Sequence, residues 1–312
     1  MLSVLHAVFV APFVDMATAP TFLAEVLIGG IAAGLMYSLV ALGFVLIFKA
    51  SGVFNFAQGV MVLFAALTLV GLIERGLPVP VALLATVGVM IALAFGIERV
   101  VLRPLVNQAP IILFMATIGL NFFLEGLGEM VWGANVKKLD VGIPDESVML
   151  AGILINKLEM SAAATAAVLV TVLAVFFQRT RIGRALRAVA DDHEAALSIG
   201  ISLKTIWVVV WSVAGLVAIA TGIMWGAKSG VQFSLSLIAL KALPVLILGG
   251  FESVPGAIVG GLIIGAGEKI AEVYLGPYIG GGIEYWFAYV LALIVLFGRP
   301  QGLFGERIIE RI

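Results

Sequence analysis

The stretch VLIGGIAAGLMYSLVALGFVLIF, Val26 to Phe48, contains no charged residue and is bounded by Glu25 and Lys49. A helix rises about 1.5 Å per residue, so a run of this length covers the roughly 30 Å of hydrocarbon in a bilayer. Similar charge-free windows run from Val53 to Ile73, Gly76 to Ile97, Pro104 to Leu124, Met160 to Gln178 and Thr205 to Ala227. Six membrane spans follow. After Ser229 the pattern weakens: Lys241 interrupts one window, and the apolar runs Ser253 to Gly267 and Tyr285 to Gly298 are short. These predict three further spans, so the fold class is an all-α, polytopic integral membrane protein with about 8–9 transmembrane helices, some short or discontinuous. No linker divides the chain, and residues 1–312 form a single transmembrane domain.

Composition supports this solvent. The chain is 62% hydrophobic and 12% charged, with mean hydropathy +1.19, whereas an average soluble domain is about 45–50% apolar and about 25% charged. A net charge of -1 offers nothing to nucleic acid. The absence of cysteine excludes thiolate metal sites and thiol nucleophiles, and the two histidines, His6 and His193, are too distant in sequence for a local metal motif. The apolar opening from Met1 to Phe13 lacks the basic region of a cleaved signal and reads as a retained interfacial segment.

Short loops rich in Lys and Arg stay in the cytoplasm. A consistent arrangement places Lys49, Arg99, Arg103, the Arg179 to Lys204 loop and Arg299, Arg307 and Arg311 inside. Arg75, Lys137, Lys138, Lys157 and Lys228 then lie outside, and Lys241 and Lys269 fall within spans. The C-terminus is cytoplasmic in this arrangement. Residues 133–159, carrying Asp140, Asp145 and Glu146, form the largest external loop.

Within the cytoplasmic loop 179–204, two stripes at helical spacing appear. Leu186, Val189, Ala190 and Leu197 share one face, and Arg184, Arg187, Asp191, Glu194 and Ser198 the other. This predicts an amphipathic helix lying in the interface and stopping near Gly200. Spacing alone leaves it a surface helix of unspecified purpose.

Inside the spans, polar groups are costly and become site candidates. Asn55 and Gln58 follow a break at Ser51 and Gly52; either helix-to-helix hydrogen bonding or a place on a solute path would account for them. Asn121 and Glu125 are one turn apart on a single face, with Glu129 a turn further. Lys241 sits within an apolar window, and Glu268, Lys269 and Glu272 lie near an outer edge where long side chains snorkel. Asn55, Gln58, Asn121, Glu125 and Lys241 are the pathway candidates. A second break, Gly249 to Gly256 with Pro255, falls on the cytoplasmic side and reads as a turn or a second contact with a partner. The 36 glycines, with Gly29, Gly30 and Gly34 on the first helix and Gly256, Gly260 and Gly261 on a late one, predict close helix packing within one subunit.

No G-x-x-x-x-G-K-[ST] loop is present, nor an H-E-x-x-H pair or G-x-S-x-G elbow. The chain is therefore expected not to hydrolyse ATP and not to be an enzyme, and no cofactor, metal or catalytic residue is expected. The energy for any transport comes from a partner or from an ion gradient.

Four stretches, in order, resemble the permeases of the branched-chain amino acid family of ABC importers. They are GLMYSLVALGFVLIFKASGVFNFAQG (Gly34 to Gly59), RTRIGRALRAVADDHEAALSIGI (Arg179 to Ile201), KALPVLILGGFESVPGAIVGGLIIG (Lys241 to Gly265) and FGRPQGLFG (Phe297 to Gly305). The resemblance implies a permease forming half of a translocation pathway in a bacterial inner membrane. It implies two ATP-binding cassette ATPase subunits, a second permease and an external solute-binding protein as partners. It also makes the Arg179 to Ile201 loop the coupling element, with Gly183, Arg184, Arg187, Asp191, Asp192, Glu194 and Gly200 carrying the contact. The implied solute is an amino acid, a branched-chain one first, with urea or a short amide as alternatives. The competing class is an ion-coupled secondary transporter or channel using Glu125, Lys241 or Glu268 as titrating groups.

Overall fold

A computed structural model of the chain describes residues 11–52, 54–105, 108–191 and 193–305. Among these residues, six helices are long and apolar enough to cross a membrane. They are α2 (Pro20–Ser51), α4 (Val79–Gly96), α5 (Pro110–Trp132), α6 (Lys157–Arg179), α9 (Leu203–Ser229) and α11 (Val254–Ile279). Three shorter apolar helices complete the set: α3 (Gln58–Glu74), α10 (Ile238–Gly249) and α12 (Phe287–Gly298). A short helix, α1 (Ala11–Thr18), precedes α2, and α7 (Arg181–Asp191) and α8 (His193–Ser198) lie between α6 and α9. The expected interfacial opening is described only from Ala11, and its first part, Met1 to Val10, lies outside the described residues.

The layers follow from burial. The most apolar windows of α2 and α9 are 78% and 67% buried, those of α4, α5 and α6 only 28%. An inner group of α2, α3 and α9, joined by α10 and α11, is thus wrapped by an outer group. The outer helices present large apolar side chains outward: Leu84 from α4, Phe122 and Phe123 from α5, Val168 and Val172 from α6, and Ile294 and Phe297 from α12. An apolar exterior around an apolar interior suits a lipid solvent, and the protein is a multi-pass membrane protein.

Two ends are distinguished by their contacts. At one, the Lys49 ammonium donates to the Glu252 carbonyl (3.4 Å), Trp207 Nε1 donates to Ala50 O (3.1 Å), and the amides of Leu303 and Phe304 donate to Leu248 O and Gly249 O (2.8 and 3.1 Å). At the other, the segment expected as an external loop folds into a hairpin of β1 (Ser147–Leu150) and β2 (Ile153–Asn156), whose Leu154 amide donates to Glu25 (3.2 Å). Lys228 pairs with Glu159 (2.7 Å), Lys137 pairs with Glu74, and Arg75 lies over the Trp132 ring at 4.5 Å. These are called the α7 end and the hairpin end below.

The tightest seam joins α2 to α11. A Cβ placed on Gly34 would run into the Gly261 carbonyl, and one on Gly265 into the backbone of Gly30 and Gly34. Ser38 Oγ bonds Gly34 O (2.8 Å) and reaches across to Ile258 O (3.2 Å). In membranes, where no hydrophobic force drives helices together, small residues allow the backbone approach that dispersion needs. The glycine-rich helices thus pack within one subunit, as expected, although Gly29 faces open space. Gly256 and Gly260 close the α10–α11 corner against Gly249, and Ser253 caps α11 by accepting from the Gly256 amide (3.0 Å). The Gly249 to Gly256 break is accordingly a capped turn.

The chain departs from its expected spans in one respect. The Val53 to Ile73 window holds a helix only from Gln58 onward, and the 229–249 window holds a 3-10 turn (Phe233–Leu237) before α10. Both helices, α3 of 17 residues and α10 of 12, are entered through irregular backbone. The glycine seam yields the first test: Gly34→Ala and Gly265→Ala should each destabilise by about 1–3 kcal/mol through overpacking, whereas Gly88→Ala, in open space on α4, should stabilise by about 0.5–1 kcal/mol. Thermal unfolding in detergent separates the two outcomes.

Candidate functional site

At the α7 end, a sharp corner sets the loop. Thr180 caps α7, its Oγ1 accepting from the Gly183 amide (3.1 Å) and its carbonyl from the Arg184 amide (3.1 Å). Gly183 is required at the corner, because a Cβ there would strike the Phe177 carbonyl. Leu186 and Val189 are buried, as the helical spacing predicts. Leu197 is not: it is 51% exposed beside Ile199 at 75%, and Ala196 is the buried residue. The loop is built as two helices, so the single period read across it fails beyond α7. Gly200 adopts a φ of +85° and ends the segment as expected.

The polar face divides. Arg184 is exposed, with one 3.4 Å contact to Arg179 O. Arg187 is committed within the chain, donating to Phe177 O (2.7 Å) and Gln178 O (3.3 Å) at the end of α6. Of the remainder, Asp192 lies outside the described residues, as do the side chains of Asp191 and Glu194. Behind the corner a cavity of about 220 Å³ is lined by Lys49, Gly183, Arg187, Glu252, Ser253 and Phe304. The second break thus faces the same cleft as α7.

The two irregular segments meet between the two ends. A Cβ on Gly59, one residue into α3, would meet the Ser236 carbonyl and the Ala239 side chain. Irregular backbone inside a bilayer must be paired internally. Asn55 does this: its Oδ1 accepts from the Ala57 amide (3.1 Å), and Thr117 Oγ1 of α5 accepts from the Phe56 amide (3.1 Å). On the other segment, Val231 exchanges two backbone hydrogen bonds with Lys137 (2.8 and 3.0 Å). Asn121 and Glu125 line a cavity of about 230 Å³ with Phe44, Phe54, Phe56 and Ser236, so both breaks and α5 contribute to one space.

Gln58 is fully buried beside Gly43, and neither its amide nitrogen nor its oxygen has a partner. Lys241 belongs to a different space. It lines a cavity of about 670 Å³ open toward the hairpin-end residues Lys228, Ser229 and Glu284, and it pairs with Glu268. Leu237 and Leu240 contribute to both cavities, so the start of α10 is the partition between them.

Sequence reasoning missed Thr117, Ser236 and the phenylalanines of the smaller cavity, whose roles depend on which segments meet. It also missed Glu98, which is buried at 1% exposure and held by Arg103 through two bonds (3.1 and 2.9 Å). A π turn (Ile97–Leu102) at the end of α4 brings this i, i+5 pair onto one side. Among the described residues, no group of acidic and histidine side chains could hold a metal ion.

An unpartnered buried amide carries a desolvation penalty of about 1–3 kcal/mol. Gln58→Leu should therefore leave the thermal midpoint in detergent unchanged or higher. A fall of several degrees would show that the amide is paired in the working protein.

Comparison with known proteins closes the description. Residues 26–298 match the family model described as branched-chain amino acid transport system / permease component. The high-affinity branched-chain amino acid transport system permease protein BraD of Pseudomonas aeruginosa is 29% identical over 304 residues, covering 92% of this chain and 97% of BraD. LivH of Salmonella typhimurium, a permease of the same description, is 28% identical over 306 residues, covering 91% and 96%. Among solved structures, PsaBC from Streptococcus pneumoniae in complex with Fab superposes with a TM-score of 0.51 at 16% identity, covering 95% of this chain and 98% of that one. That likeness concerns the fold. The family match spans most of the chain, and the protein belongs to the branched-chain amino acid transport permeases.

Proposed function

We propose that the chain is one half of the membrane pathway of an ATP-driven importer in a bacterial inner membrane. It would pair with a second permease, a paralogue or a copy of itself, and receive an amino acid or related small polar solute from an external binding protein. Two ATP-binding cassette subunits would dock on the α7 end, bind the ATP and hydrolyse it. The α7 end, and with it the C-terminus, faces the cytoplasm in this reading, which agrees with the excess of Lys and Arg there. A branched-chain amino acid is the solute that the family favours.

The observation that carries the reading is the α7 corner. Arg184 stands out from it, Leu197 and Ile199 project as exposed apolar side chains at its far end, and its buried side is pinned to α6 by Arg187. A rigid element with a charged and apolar outer face, locked onto a span, suits force transfer between subunits. Ligands shift a conformational equilibrium only through differential contacts, so closure of the ATPases on ATP has to act through such contacts. On the solute side, Asn121 and Glu125 in the smaller cavity, and Asn55 and Gln58 behind it, are where the broken segments approach one another. Transporters place their binding sites at discontinuous helices of this kind.

The α7 corner also supplies the test. Arg184→Glu should leave the thermal midpoint of the permease unchanged while reducing solute-stimulated ATPase activity in reconstituted liposomes by about tenfold or more, the scale of a lost interfacial charge contact. Arg187→Glu should instead lower the midpoint, because it frees the α6 carbonyls. Coupling that survives Arg184→Glu at full strength would remove Arg184 from the docking contact.

A further inference from the structure

The larger cavity has a charged floor. Lys241 of α10 and Glu268 of α11 pair there, and the ammonium also donates to the Glu284 carbonyl (2.7 Å). Glu268 is 4% exposed, and its second oxygen, Oε2, has no hydrogen-bond partner. It lies eleven positions before the end of α11 at Ile279, about 16 Å along the helix. Replacing a buried ion pair with apolar side chains of similar volume is often neutral or stabilising, and a half-satisfied polar network is worse than an apolar one. The chain thus keeps two charges deep in an apolar bundle at a cost to its own stability, and the cost falls on the wall of a space of about 670 Å³. That volume lies within the range of small-molecule sites, about 300–1,000 Å³.

The rest of the wall is mixed: Lys228, Lys269 and Gln232 are polar, and Tyr37, Trp225 and Tyr285 are aromatic. Tyr37 of α2 stacks on Trp225 of α9 with centroids 5.9 Å apart and planes 15° from parallel, and the Tyr285 ring lies 5.2 Å from the Lys241 ammonium. Trp225 Nε1 is also buried without a partner.

Resting on the reading that the chain forms half of a solute path, we propose that this cavity is a solute-binding vestibule for small zwitterions with an apolar side chain, its floor being the Lys241–Glu268 pair. The solute carboxylate accepts from Lys241, and its ammonium donates to Glu268 Oε2. Its side chain lies along Tyr37 and Trp225. Lys228, Lys269 and Glu284 also line the space, but at the floor a lone anion meets the Glu268 carboxylate and a lone cation meets the Lys241 ammonium. A neutral amide offers nothing that offsets opening the pair. Opposite charges on one small molecule match both halves of the floor.

The experiment is a titration of the chain in nanodiscs, with whichever subunits accompany it, without ATP. The signal is the Trp225 fluorescence, taken as the difference between wild type and Trp225→Phe. L-Leucine should change it saturably, while isovalerate, isoamylamine and urea should bind more weakly by about tenfold or more, the scale of one charged hydrogen bond. The double variant Lys241→Met, Glu268→Leu, which removes the pair together with the Lys241 donation to the Glu284 carbonyl, should fold and lose the leucine response. If that variant fails to fold, Glu268→Gln, which keeps a hydrogen-bond acceptor for Lys241, should still weaken leucine by about tenfold. Leucine binding within twofold of wild type in a folded variant, or equal binding of isovalerate, isoamylamine and leucine, overturns the proposal. Because no ATP is present, leucine binding intact alongside absent ATP-driven uptake would count against the importer reading and leave the vestibule standing.

Discussion

Backbone amides inside a bilayer have no water to bond, and every departure from helix there must be paired by the protein itself. The two irregular segments of this chain meet that demand by different means. Residues 54–57 use side chains, with Asn55 and Thr117 accepting from the freed amides. Residues 230–232, at the hairpin end beside the Lys137–Glu74 pair, use a backbone exchange between Val231 and Lys137. Both solutions require neighbouring helices to come very close. Glycine supplies that closeness, at Gly59 against Ser236 and along the Gly30, Gly34, Gly261 and Gly265 seam. The irregular segments before α3 and α10 both line the smaller cavity.

This arrangement separates two kinds of polar residue that look alike in a sequence. Asn55 is a backbone partner first, fully buried and aimed at its own chain. Lys241 and Glu268 pair with each other and leave one carboxylate oxygen over, while the Lys241 ammonium also holds the Glu284 carbonyl. The same distinction applies at the α7 end, where Arg187 serves the α6 carbonyls and Arg184 reaches outward.

Much of the fold was legible because hydrocarbon thickness imposes a length on charge-free windows: five of the six became long helices, the Val53 to Ile73 window holds the shorter α3, and the sixth long helix, α11, extends the short run that begins at Ser253. The amphipathic loop was legible in its first half, where one helical period placed Leu186 and Val189 correctly. It failed at Leu197 because a second helix begins at His193, and a period cannot be carried across such a joint. Pairings between distant segments left no local trace. Nothing near Ser236 announces that Gly59 packs on it, and Thr117 reads as an ordinary span residue until Phe56 is placed beside it. Glu98 was hidden by a π turn, since a five-residue spacing matches neither face of a regular helix.

The central claim is that this permease moves solute with energy delivered from partner ATPases. The most direct measurement is radiolabelled leucine uptake into liposomes containing the purified complex, with ATP inside or outside the lumen and with an imposed proton or sodium gradient. Uptake that requires ATP on the α7 side and ignores the ion gradients is the predicted result. Accumulation that proceeds without ATP or ATPase subunits and follows a proton or sodium gradient would contradict the account.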